Sequence, residues 1–293
     1  MEKNTTLALL KPPADFASLG QFAKDGERYV SLCAQANLNR HIFGGQLMAQ
    51  AVLVAASIVP PDRRLRSLHA RFLRPQLMSP APGYRVNPVM EGRSFSNVEV
   101  ATGENGKEIF RSDLCFQSPE VGVEHALVMP EVPAPEDLIS LHEMAVIYAG
   151  QISEGNRRLL SAVQLHEVKP IDPEQFLFCG TREPALRFWV KSSQPLMDVS
   201  RLHEAALAYI SDAWFNSPML LPHVSTRLAR EFHSPTLSHD LWLHNDFRAD
   251  DWLLFDLQSP ALNGATGLIL ANIFDRSGKL IANAAQHALF RQI

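Results

Sequence analysis

The sequence predicts an α+β fold laid down twice, one long helix and an antiparallel sheet in each half, and three observations predict it. An apolar helix is followed by a run of strand segments in both halves, hairpin-turn residues recur at matched places, and the matched marks sit about 170 residues apart, the sign of an internal duplication. A chain of 293 residues with 46% hydrophobic residues is long for one compact unit and comfortable for two.

The first helix runs from Gly44 to about Val59. It carries Leu47, Met48, Val52, Leu53, Ala56 and Val59, apolar nearly all round, and so reads as buried within its unit. Strands are expected over 67–73, 84–89, 95–102 and 108–117, the last two joined by Glu104-Asn105-Gly106-Lys107, where Asn-Gly supplies the positive φ of a tight hairpin. After Pro119 the chain turns rich in proline and acid, and Met129 to Asp137 reads as a linker, with a helix-prone stretch over roughly 137–163 packed along the surface. The second half places Leu202, Ala205, Ala206, Tyr209, Ile210 and Ala213 at helical spacing. Strands follow near 237–243, 252–257, 268–274 and 279–290, with a Ser277-Gly278 turn answering Asn105-Gly106. Matching the halves sets Gly44-Gly45 against Ser211-Asp212, His69 and Phe72 against His239 and Trp242, and Gln286 against Leu114-Cys115. The two sheets are free to join edge to edge.

Three polar residues stand where a core would not place them without cause. Asp212 lies in the apolar run Leu207 to Phe215, Thr236 precedes a strand, and Gln286 shares a strand face with Leu280, Ala282, Ala284, Ala288 and Phe290. Burying an unpaired carboxylate or amide costs several kcal/mol, so each needs partners or water. Either they are structural, Asp212 facing solvent at a helix end and Gln286 satisfying backbone groups, or they carry chemistry.

Much other chemistry finds no support. With 27 basic and 31 acidic residues the net charge is −4 without long runs of one sign, which suggests neither nucleic acid nor an anionic membrane as main partner. No stretch approaches the 18 apolar residues of a span, the amino terminus lacks a signal-peptide pattern, and Arg291-Gln292-Ile293 is not a peroxisomal ending, so a cytoplasmic address is expected. Cys33, Cys115 and Cys179 form no close pair and read as reduced core thiols. There is no Gly-x-Ser-x-Gly elbow, and Ser94 and Ser96 sit in a strand entry. His142-Glu143 and His203-Glu204 lack a second His at helical spacing, and His69, His239 and His244 read as core or strand histidines. With no phosphate loop or dinucleotide fingerprint either, no metal or redox cofactor is implied.

An ordered set of motifs resembles the acyl-CoA thioesterase II family. In the first half these are Phe43-Gly44-Gly45-Gln46, Leu68-His69-Ala70-Arg71-Phe72-Leu73-Arg74-Pro75, Gly92-Arg93-Ser94-Phe95-Ser96, Asn105-Gly106-Lys107 and Phe116-Gln117-Ser118-Pro119. In the second they are Ser211-Asp212, His239 to His244, Trp252-Leu253-Leu254, Gly278-Lys279-Leu280 and Ala285-Gln286. The resemblance implies a double hotdog, each sheet wrapped around its helix. The first hotdog domain would span 1–128, a linker with a helical segment 129–164, and the second domain, with the catalytic residues, 165–293. It implies hydrolysis of fatty acyl-CoA to free acid and CoA, with Asp212, Thr236 and Gln286 holding and activating a water, no cofactor, and acyl-CoA as the small-molecule partner; a homo-oligomer fits the sheet edges left to cover.

Gly44, Gly45 and Gln46 are the expected substrate-binding turn, where free N–H groups at the helix start face an oxyanion; simple helix entry or tight packing is the other reading. Where the family commonly shows Asp-His-Ser-Met-Trp-Phe-His, this chain reads Ser238-His239-Asp240-Leu241-Trp242-Leu243-His244, so an acid has moved two positions along the strand and is expected to disturb the bonds of Thr236. Bulky Trp214 and Phe215 are expected to shorten or bend the acyl channel. The rivals are a hotdog enoyl-thioester hydratase or dehydratase and a non-catalytic acyl-CoA binding module. His239, three residues beyond Thr236 and expected on the opposite strand face, speaks against the hydratase.

Overall fold

A computed structural model describes residues 10–178, 183–224 and 232–292. The first half begins with the short hairpin β1 (Phe22–Asp25) and β2 (Arg28–Ser31), followed by α1 (Gly44–Ala56), β3 (Arg64–Phe72), β4 (Gly83–Glu91), β5 (Phe95–Glu104) and β6 (Lys107–Gln117). The connecting region holds α2 (Leu141–Ile147) and α3 (Glu154–Ser161). The second half runs β7 (His166–Pro170), α4 (Pro173–Leu177), β8 (Ala185–Ser192), α5 (Ser200–Ile210), α6 (Ser217–Leu220), β9 (Phe232–His233), β10 (Thr236–Leu243), β11 (Leu253–Asn263), β12 (Thr266–Asp275), β13 (Leu280–Leu289) and β14 (Arg291–Gln292).

Twelve of these strands form one sheet in the order β1-β2-β4-β5-β6-β3-β10-β13-β12-β11-β8-β7. Read inward from either edge the order is the same, so β3 corresponds to β10, β6 to β13, and α1 to α5. The halves meet where β3 and β10 pair antiparallel, His69 opposite Asp240. The helices pack on each other along one side of the sheet, and they run antiparallel. Gly45 at the start of α1 lies against the Tyr209 carbonyl at the end of α5, whereas Arg201 at the start of α5 donates to the Pro60 carbonyl beyond the end of α1.

The hydrophobic pattern explains the placing of α1: Leu47, Met48, Ala51, Val52, Val54 and Ala55 are buried, and each large side chain so buried contributes roughly 1.5–3 kcal/mol. Two glutamines share that core because every amide group has a partner. Gln50 donates to the Leu19 carbonyl and the Ser31 hydroxyl and accepts from Tyr84. The hairpin glycines behave as their sequence requires, Gly106 at φ +75 and Gly278 at φ +88.

Four strands of the twelve-stranded sheet, and the two-residue pair β9 and β14, were not legible in the sequence. Strands β1 and β2 are four residues each and mostly exposed or half-buried, β7 ends on Pro170, and β8 is recognisable only once β7 and β11 flank it. The helix-prone stretch of 137–163 divides into α2, closed by a Ser140–Glu143 capping box, and α3, capped by Ser153. The acidic, proline-rich segment before them lies on the second half of this sheet, where Met129, Val132 and Leu138 pack against a cluster of Trp189, Trp252, Leu254, Phe274 and Leu280. Trp189 Nε1 and Lys169 Nζ bind its carbonyls at Pro133 and Pro135.

Aligning the halves by their bulges corrects the expected correspondence. Strand β3 has an irregularity between Leu65 and Ser67, and β10 has one between Thr236 and Ser238. Superposing them matches Leu65 with Thr236, Leu68 with His239, His69 with Asp240 and Phe72 with Leu243, one residue away from the expected pairing. A one-residue slip exchanges the faces of a strand, and the burial agrees: Leu68 and His239 are both buried, while His69 and Asp240 are half-buried. Gln286, opposite His239, then matches Leu114, opposite Leu68, as expected. Gly44-Gly45 does not match Ser211-Asp212, since one pair starts a helix and the other follows the end of one.

Candidate active site

The antiparallel helix pair brings the end of α5 to the start of α1. Helix α5 finishes at Ile210, Ser211 caps it in helical conformation, and the chain leaves through Trp214 at φ +61, a left-handed conformation that a bulky residue adopts only under constraint. Asp212 falls in this turn. Its carboxylate lies 3.4 Å from the Thr236 hydroxyl of β10, which donates to it, and the Gly45 backbone N–H of α1 acts on it to lower its pKa.

Glycine is required at both positions of the α1 start. A Cβ on Gly44 would stand 2.7 Å from Asp212 Oδ2, and one on Gly45 would stand 2.3 Å from the Tyr209 carbonyl oxygen. Close approach of the two helices and of the carboxylate therefore explains the pair. Of the N–H groups at the helix start, that of Gly45 acts on the Asp212 carboxylate, while that of Gly44 has no hydrogen-bond partner among the described residues. Gln46 is engaged as well. Its fully buried amide accepts from the Gln35 N–H at 2.6 Å and donates to the Cys33 carbonyl and to Gln50, so it pins the incoming chain.

Removal from water pushes the Asp212 carboxyl above its ordinary range, and the Gly45 and Thr236 donors together with the nearby His239 imidazole moderate the rise. The result is a half-buried carboxylate that holds its proton more tightly than a surface aspartate does.

Gln286 makes no hydrogen bond to Asp212. It is buried on β13, and its Oε1 lies 2.8 Å from Nδ1 of His239, whose Nε2 lies 3.0 Å from the hydroxyl of Ser211, the neighbour of Asp212. Sequence reasoning missed this chain and put His239 on the wrong face. Between Thr236 and Ser238 strand β10 spends two residues where β13 spends one, so Thr236 and His239 point to the same side. The alternation of His239, Leu241 and Leu243 does mark the histidine as inward-facing; the bulge that adds Thr236 to that face leaves no mark of its own.

The displaced acid has a different role from the expected one. Asp240 faces the other side of the sheet and lies 2.9 Å from Nδ1 of His69, and this contact raises the His69 pKa. It bridges the two halves and leaves Thr236 alone. Phe215 is buried with its ring edge-on to His239, centroids 4.9 Å apart, and Trp214 packs on Phe176. Cys33 is buried, Cys115 is half-buried, and Cys179 lies outside the described residues.

Known proteins agree with this arrangement of helices and sheet. A family model described as the acyl-CoA thioesterase C-terminal domain matches residues 141–290, and its N-terminal counterpart matches 34–117. The acyl-CoA thioesterase 2 of Haemophilus influenzae is 34% identical over 86% of this chain and 88% of its own. The chain belongs to the acyl-CoA thioesterase II family. As a member of that family it is a thioester hydrolase. Among solved structures, the acyl-CoA thioesterase II TesB2 of Mycobacterium marinum superposes with a TM-score of 0.76 at 25% identity, over 95% of this chain and 98% of that one. A protein of Alicyclobacillus acidocaldarius described as having a hotdog fold superposes with a TM-score of 0.72 at 19% identity, over 95% and 98%, a likeness of fold alone. The fold is therefore a hotdog fold. Among the described residues, no helix of this thioesterase is long and apolar enough to cross a membrane.

Proposed function

We propose that this thioesterase hydrolyses fatty acyl-CoA to free acid and CoA, with Asp212 as general base and Thr236 and Gln286 as the groups that hold the attacking water. The observation that carries the reading is the junction at which the Asp212 carboxylate, with its raised pKa, meets both the Thr236 hydroxyl and the α1 start. A carboxylate so placed takes the proton of a water as its oxygen attacks the thioester carbon, an effect worth roughly 10²–10⁴-fold. Thr236 and the Gln286 amide orient that water and do not ionise. The Gly44 N–H, at the positive end of α1, is the donor left for the carbonyl oxygen as it becomes negative. Collapse of the tetrahedral species breaks the C–S bond, and the thiolate leaves with the proton that Asp212 collected.

The repeated strand order supports a double hotdog, with a first domain over 1–128, a connecting segment over 129–164 and a catalytic domain over 165–293. The corresponding end of the first half has Leu65 for Thr236 and Leu114 for Gln286, which supports one active centre per chain. A hydratase needs a histidine free to exchange a proton with substrate, and His239 is buried with both nitrogens engaged. A cytoplasmic homo-oligomer completes the reading. The test is thiol release from acyl-CoAs of graded length by wild type and Asp212→Asn. The expected loss is about a hundredfold or more with ligand binding intact; turnover near wild type in the folded variant would refute Asp212 as the base.

A further inference from the structure

Among the described residues, His239 joins Gln286 to the turn carrying Asp212. It is fully buried on β10, with Gln286 at one ring nitrogen, Ser211 at the other and the Phe215 ring against its face. None of its surface is exposed, so it is not placed to exchange a proton with a substrate.

Hydrogen counting shows what the imidazole decides. Oε1 of Gln286 accepts and cannot donate, so the 2.8 Å contact requires the proton on Nδ1. Nε2 is then the acceptor, and the Ser211 hydroxyl must turn its one hydrogen to Nε2 and away from the Ala208 carbonyl, 3.0 Å from it, to which it donates in the other tautomer. With Oε1 held by Nδ1–H, the NH₂ group of Gln286 must turn away from His239. In the other tautomer the bare Nδ1 would face Oε1, acceptor against acceptor, and the amide would have to reverse, presenting its oxygen in place of its NH₂.

We infer that His239 is a positioning residue for the thioesterase reaction, whose Nδ1–H fixes the orientation of the Gln286 amide so that its NH₂ group is the end offered to the water and the developing oxyanion. The inference rests on the proposed role of Gln286 and extends it. The charged groups whose fields reach the ring are Asp212, from the turn after α5, and Asp240, from the other face of β10. Burial favours the neutral imidazole, in which the choice between Nδ1–H and Nε2–H is a choice of tautomer and not of charge.

The duplication supplies a variant suited to the test. The first half places Leu68 where the second has His239, and Leu114 where the second has Gln286, both in buried positions of the same strand geometry. The double variant His239→Leu/Gln286→Leu thus reproduces a pair that this chain already contains, and the single variants are its two halves. Thiol release should show a fall in kcat of about tenfold to a hundredfold for His239→Leu, with KM little changed, because orientation is lost while binding is kept. The double variant should be no slower than Gln286→Leu alone, since His239 acts through Gln286. His239→Asn puts an amide N–H near the position of Nδ1–H and should recover most of the lost turnover.

Thermal melts run alongside separate turnover from folding. Losses that multiply in the double variant, or a His239→Asn no faster than His239→Leu, would overturn the positioning role. Wild-type turnover in Gln286→Leu would overturn both the positioning and the role of Gln286 beneath it, whereas a slow Gln286→Leu beside a wild-type His239→Leu would overturn the positioning alone. Asp212→Asn, assayed in parallel, reports on the base independently of either.

Discussion

Glu204→Gln should stabilise the protein in a pH-dependent way, and the size follows from where the carboxylate sits. Glu204 lies on α5 at the end remote from Asp212, 4% exposed, beside a cavity of about 520 Å³ that also reaches Arg64, Arg66 and His203. Its Oε1 accepts the Leu65 N–H at 3.1 Å, and its Oε2 stands 3.6 Å from Arg201 Nη1, too far for a hydrogen bond. Burial raises its pKa from 4.5 to about 7 and lowers that of Arg201, so both partners are pushed toward their neutral forms and their attraction does not offset desolvation.

The native carboxyl keeps its proton where the unfolded chain has lost it, so its stabilising contribution is complete below pH 4.5 and is lost as pH rises through about 7. At 1.36 kcal/mol per pKa unit the loss is about 3 kcal/mol. Glutamine keeps a carbonyl for Leu65 and cannot ionise, while Arg201 retains the Pro60 carbonyl and the Phe116 ring. Urea unfolding of wild type and variant at steps from pH 5 to pH 8 should give a stability difference that moves in the variant's favour by about 2.5 kcal/mol across the range, the rest of the shift lying below pH 5. A difference independent of pH would refute the assignment of a raised pKa to Glu204.

Other outcomes follow from the same contacts. Asp212→Asn should raise the melting temperature near neutral pH while removing activity: a carboxyl whose folded pKa is raised stabilises only while protonated, and that contribution is lost as pH rises through the folded value. Gly45→Ala should cost about 1–3 kcal/mol in a thermal or urea melt, because its Cβ meets the backbone oxygen of Tyr209. Gly44→Ala should be milder in the melt and harsher in the thiol assay, because its Cβ presses on the Asp212 carboxylate. Thr236→Val should slow thiol release by about tenfold to a hundredfold with the fold intact. Asp240→Asn should lower the His69 pKa toward 6.5, read from the imidazole resonances by NMR; wild type keeps the paired form below that value and loses it as pH rises through the raised His69 pKa.

What the sequence determined by itself is everything carried by local pattern: the two apolar helices, the eight long strands after them, the hairpin turns at Gly106 and Gly278, and the oddity of Asp212, Thr236 and Gln286 in apolar company. These are short-range consequences of side-chain chemistry and backbone preference, so each reports on itself. The tertiary structure alone decided which of them meet. Antiparallel packing of α1 on α5 turns a helix start and a helix end, more than 150 residues apart, into neighbours; this is why Gly44-Gly45 touches Asp212 without corresponding to it. One extra residue in β10 moves Thr236 onto the face of His239, the residue that joins Gln286 to Ser211. A bulge is set by how two strands share their hydrogen bonds, a property of the pair that neither strand's sequence contains.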